Sequence, residues 1–147
     1  IFLAPAAHTD GDAIVYFSGS NVMHLGDVFR TTSYPVIDVY NGGSVKGVIQ
    51  ALDQAIALAN SDTKIIPGHG LEIVGRKELI EFRDMIVTIR DRVYAMIEEG
   101  MVLDVVMENA PSKDFDAKWG QEAGWTTVDF IPIVYHELGG EARYRGK

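Results

Sequence analysis

The amino-acid sequence predicts an α/β fold: a mixed sheet of about four strands plus helices, with a helical C-terminal region. Residues 1–75 alternate short strand-like runs with one amphipathic stretch, while residues 76–147 carry apolar stripes at helical spacing. Strand, strand, helix, strand is the order of a layered α/β unit. The 147 residues suit one domain, and a domain of this size buries roughly 68–70% of the surface its unfolded chain exposes.

Ile1–Ala4 is a short apolar run. Ala13–Phe17 and Asn21–Gly26 are strand-like, and Ser18-Gly19-Ser20 between them is a turn signal, so the pair reads as a hairpin. Gly42, Gly43 and Ser44 lead into a helix whose apolar residues Val45, Val48, Ile49, Leu52, Ala55, Ile56 and Ala59 share one face, with Ser44 placed to cap it. Lys64-Ile65-Ile66 is a short buried strand ending in Pro67-Gly68-His69-Gly70. From Arg76 to Glu99 the residues Leu79, Phe82, Ile86, Ile89, Val93 and Met96 form one stripe, and Gly100 stands where a terminating glycine belongs. Met101–Met107 is a further helical turn or two, stopped before Pro111. Thr126 and Asp129 resemble a capping box opening a last helix to Leu138, which Pro132 should kink or delay. Helices on one side of a four-stranded sheet leave its other face bare. Ile14, Tyr16, Val22 and Leu25 are the candidates for its apolar face, depending on register.

Composition narrows the function. Net charge is −8 with dispersed basic residues, which disfavours nucleic acid as a partner. There is no cysteine, so disulfides, thiolate metal sites and cysteine nucleophiles are excluded, and the redox compartment cannot be read. No apolar run approaches the ~20 residues of a membrane span, and no leader pattern opens the chain. A soluble, cytoplasmic protein with no membrane partner is the expectation. The first residue is Ile1 rather than Met, which leaves the natural start open.

The residues with chemistry cluster at strand ends. His8 opens His8-Thr9-Asp10-Gly11-Asp12, Asp27 ends His24-Leu25-Gly26-Asp27, and His69 lies in Pro67-Gly68-His69-Gly70. Strand-to-loop junctions are where α/β folds place their sites. Neutral imidazole and carboxylate are the ligands a zinc-type cation takes when thiolate is absent. A histidine beside a glycine is more often a turn residue than a ligand, so each motif alone is a modest signal.

Together, and in this order, H-T-x-G-D, a strand ending in G-D and a strand ending in P-G-H-G resemble the latter half of the metallo-β-lactamase superfamily. The resemblance covers about residues 1–75 with specific motifs. It implies half of an αββα sandwich, with a site for one or two Zn2+ ions or other divalent metals at a sheet edge. It implies His8 as a ligand of the first metal, Asp27 as the bridging and catalytic carboxylate, and His69 as a ligand of the second. Two metals ~3.5–4 Å apart would acidify a water that attacks an ester, amide, thioester or phosphoester. The family's first motif, H-x-H-x-D-H, has no counterpart: no two of the four histidines here are separated by one residue. Three ligands of a possible seven are present, so this chain would make an incomplete site and be inactive alone.

Other residues are weighed beside these. Asp12 could orient a ligand imidazole or simply form a turn. Tyr34 to Asp38 could form a loop over the site, with Tyr34 and Asp38 as binding candidates. Gly42-Gly43-Ser44 could receive an anion at a helix N-terminus, though capping explains it as well. His24 is expected on the face opposite Asp27 as a structural residue, and His136 as a packed or solvated one. Three readings follow: the C-terminal half of a metal-dependent hydrolase of small molecules, a non-catalytic association module, or a mononuclear metal-binding protein. The missing motif and the bare face make a homo-oligomer, or an N-terminal half bound in place, the expected partner.

Overall fold

Phe2–Leu3 (β1), Ala13–Phe17 (β2), Val22–His24 (β3) and Lys64–Ile66 (β4) form one four-stranded sheet in the order β1-β2-β3-β4. The computed structural model describes residues 1–121 and 123–140. β2 runs antiparallel to β1 and β3, and β4 runs parallel to β3. A parallel pair needs a long crossover, and the helix Val45–Leu58 (α1) supplies it.

Register sorts the side chains. Phe2 opposes Ile14, Tyr16 opposes Met23, and Met23 opposes Ile65, so these five share a face. Ile14, Met23 and Ile65 are fully buried, as is Leu25 just beyond β3. The opposite face carries Leu3, Val15, Phe17, Val22, His24, Lys64 and Ile66. Leu3 and Phe17 there are 70% and 55% exposed. The helices thus cover one face and leave the other open and largely apolar. Of the expected apolar candidates, Ile14, Tyr16 and Leu25 lie on the covered side, and Val22 lies on the open one.

Ser44 caps α1 by accepting the Gly47 N–H at 2.9 Å. The helix Arg76–Glu98 (α2) packs on α1 and buries Leu79, Phe82, Met85, Ile86, Ile89 and Val93. It ends where Gly100 takes φ +79°, a left-handed conformation that glycine adopts without a Cβ penalty. The Gly100 and Met101 N–H groups then donate back to Ile97 and Met96, which closes the helix end. Leu103–Glu108 (α3) and Thr127–Glu137 (α5) follow, and the Asp129 carboxylate accepts the Thr126 N–H at 2.8 Å. Pro132 lies inside α5 without ending it. A further short helix, Lys113–Trp119 (α4), was not anticipated; its seven residues are too few to show a stripe. One hydrophobic core joins the covered sheet face to the helices, from Ala4 to Tyr135. No helix among the described residues is long and apolar enough to cross a membrane.

Candidate metal-ligand cluster

β1, β3 and β4 run in the same direction, so the segments leaving their C-terminal ends meet at one sheet edge. Those segments carry His8, Asp27 and His69. The His69 Nε2 lies 2.8 Å from Asp27 Oδ1, and the His8 Nε2 lies 4.0 Å from Asp27 Oδ2. The carboxylate therefore turns one oxygen to each imidazole. His69 and Asp27 are about half exposed, and His8 is more enclosed.

Each residue is fixed through its backbone. The Asp12 carboxylate accepts the N–H of His8 at 2.6 Å and of Thr9 at 3.1 Å, folding residues 8–12 into a tight turn. The His8 carbonyl accepts the Asp38 N–H at 2.9 Å. A Cβ on Gly43 would overlap the His8 carbonyl oxygen, so only glycine allows α1 to begin so close to this turn. Gly26, at φ +53°, starts the turn Gly26–Val28 that presents Asp27, and its N–H donates to His24 Nδ1 at 3.0 Å. Gly68 lies against the same turn: a Cβ there would overlap the Gly26 carbonyl. Beyond it, Arg30 pairs with His69 in a parallel bridge, and the Thr31 N–H donates to the His69 carbonyl at 3.1 Å.

The His8 ring is oriented by Val36, whose carbonyl oxygen is 2.7 Å from Nδ1. A carbonyl can only accept, so Nδ1 carries the proton, and in the neutral ring Nε2 keeps its lone pair toward Asp27. This is the support that metal-ligating histidines commonly have. Asp12 does not provide it: of the two roles weighed for Asp12, the structure gives it the turn. His24 shapes the turn of Asp27 rather than bonding a neighbouring strand.

Tyr34 is not over the site. It is fully buried, stacked on Phe130 at 5.3 Å, and its hydroxyl donates to Asp116 at 2.7 Å. Burial and that acidic partner push the Tyr34 phenol well above its ordinary range. Asp38 caps the turn Val39–Asn41, accepting the Asn41 side-chain amide at 2.6 Å and its backbone N–H at 3.1 Å. Hydrogen bonds from Asn41, with a smaller contribution from His8 nearby, hold the Asp38 carboxyl below its usual value. The N-terminus of α1 is also filled from within: Glu137 of α5 accepts the Val45 and Lys46 N–H groups at 2.6 and 2.8 Å. His136 packs edge-on against Tyr135.

The donor types and the orientation of His8 fit a zinc-type cation. The set does not close on one: among the described residues, no group of three or more His, Cys, Asp or Glu side chains is arranged to hold a metal ion.

The described residues form a mixed α/β fold of four strands and five helices, and this fold matches a protein of the metallo-β-lactamase fold. No family model matches the sequence, and a search of curated proteins finds no match. Among solved structures, the fold is similar to that of a variant of the sec-alkyl sulfatase PisA1, with a TM-score of 0.72 and 17% identity over 95% of this chain. The chain spans 24% of the length of that structure. At such identity the likeness bears on the fold alone.

Proposed function

We propose that this chain is the ligand-bearing C-terminal part of a metal-dependent hydrolase, cleaving an ester, amide, thioester or phosphoester once further ligands complete its site. One observation carries the reading: the imidazoles of His8 and His69 face different oxygens of the one Asp27 carboxylate, at the strand ends where α/β sheets bind ligands. His8, Asp27 and His69 would hold one or two Zn2+ ions, which when bound supply a Lewis acid and an acidified water. The chain's own residues do the positioning. Asp27 is the shared carboxylate, Val36 fixes the His8 tautomer, and Gly68 lets the His69 segment lie against the Asp27 turn. The likeness to a sulfatase adds sulfate esters to the substrate classes to be tested.

A panel of nitrophenyl acetate, phosphate and sulfate esters tests this, with and without added zinc. The 147-residue chain alone should turn over none above background. A product of the reading frame extended upstream, if it supplies H-x-H-x-D-H, should be active and should lose at least about a hundredfold with Asp27→Ala. Robust zinc-dependent turnover by the chain alone would overturn the incomplete site. An inactive extended product that carries the motif and binds zinc would count against hydrolysis.

The open sheet face favours a second reading, an association module. Leu3, Phe17 and Val22 would then pack on a partner sheet, either the rest of a longer protein or a second copy in a two-fold dimer. Light scattering over a concentration series tests the copy: a dimer supports it, and a monomer of 16.2 kDa throughout rules it out.

A further inference from the structure

Two residues beyond His69 the chain carries Leu71, which is 100% exposed, and Ile73 is 63% exposed. Single exposed apolar residues are ordinary, but Leu71 stands at the mouth of a cleft of about 340 Å³. The floor is aromatic: Phe29, Phe82 and Trp119 are each at least 96% buried. Phe82 meets Phe29 edge-on at 5.3 Å and lies 6.4 Å from Trp119. The wall nearest the cluster is formed by residues 30–32, and Arg30 is the residue paired with His69. The cleft wall and the backbone of His69 are therefore joined by one bridge.

Two charged groups of the lining have partners of their own. The Lys118 ammonium sits 4.4 Å over the Trp119 ring and 2.8 Å from Glu81. Glu78 accepts the Gly75 N–H at 3.0 Å. Arg30, Thr31, Thr32 and Glu72 line the cleft beside an apolar surface made by the aromatic floor with Leu71 and Val74, and the volume lies near the bottom of the roughly 300–1,000 Å³ typical of ligand pockets. A second cleft, about 490 Å³, lies among α1, α2 and α5; His8, Asp27 and His69 line neither cleft, but only the first is lined by the residue paired with His69 and by Leu71 two residues after it.

We propose that the cleft beside His69 is a substrate subsite that receives a short alkyl or acyl chain attached to the bond cleaved at His8, Asp27 and His69. This rests on the hydrolase reading above. Leu71 closes over the chain, and the aromatic floor sets its length.

The test is a titration of the ¹⁵N-labelled 147-residue chain with 1-hexanol, which needs neither metal nor turnover. Amide shifts should concentrate at Thr31, Leu71, Val74 and Lys118, with affinity about tenfold weaker in Leu71→Asn, whose exposed position spares folding. Shifts concentrated instead at Leu3, Phe17 and Val22, no shifts, or an unchanged Leu71→Asn affinity would each overturn the inference. The zinc and ester assays report separately. Hexanol shifts at the cleft with an inactive extended protein would remove the substrate role and leave an apolar-ligand site. An active extended protein with no hexanol shifts would sink this inference alone.

Discussion

Along α2, six residues from Leu79 to Val93 are buried where α2 packs on α1 and α5, and their own side chains fix them there. Along the loops bearing His8, Asp27 and His69, these side chains are partly exposed, and the backbone does the fixing. Carbonyls, N–H groups and glycines without room for a Cβ set those positions. The first region is tuned for area and volume, the second for close approach. Stability and site geometry should therefore respond to different substitutions.

The largest effect belongs to the packed region. Ile86→Ala should cost about 2–5 kcal/mol in urea unfolding, through lost burial and a residual cavity. In the fraction that folds, His8 and His69 ring shifts should be unchanged; moved shifts would mean that the two regions are coupled. Gly68→Ala reverses the pattern. Its Cβ forces the His69 segment off the Asp27 turn at about 1–3 kcal/mol, and the 2.8 Å His69–Asp27 contact should open, shifting both rings' resonances. A variant with native His69 shifts would show that the approach is not what sets the cluster.

Tyr34→Phe falls between the two, because the hydroxyl is buried in the core but bonded to Asp116. A cost of about 1–1.5 kcal/mol is expected. pH separates it further. The folded Tyr34 phenol ionises above its unfolded value, so its contribution is fully present below about pH 10 and is lost as pH rises beyond it. Unfolding free energy of the parent chain should fall above about pH 10, and less so in Tyr34→Phe. Equal alkaline slopes would contradict this. The smallest effect is Glu137→Gln, which keeps one acceptor oxygen for the Val45 and Lys46 N–H groups, turns an amide NH2 toward the other and removes charge from the α1 N-terminus, at about 0.5–1.5 kcal/mol. The part of the cost that added salt removes belongs to the charge, and the part that survives belongs to the lost hydrogen bond.

The same division explains what the sequence disclosed. Ala13–Phe17 and the α1 stripe were legible because alternation and helical period are local signals. The convergence of His8, Asp27 and His69 was legible because their motifs fall at strand ends. Tyr34 follows Asp27 closely, which makes it a candidate for a loop over the site, yet its partners Asp116 and Phe130 lie more than eighty residues on, where no local pattern points back. The support of His8 by Val36 was equally hidden, for any residue offers a carbonyl. Glu137 gave no sign that it would cap α1 from another helix, and α4 was too short to show a period.

The claim most in need of a test is that His8, Asp27 and His69 act as one ligand cluster. A zinc titration followed by long-range ¹H–¹⁵N spectra of the four imidazoles reads it directly. His8 and His69 should respond with a single shared midpoint, weakly, since the set is incomplete, and both responses should vanish in Asp27→Asn while His24 and His136 stay silent. Separate midpoints for His8 and His69, or responses that survive Asp27→Asn, would contradict the account.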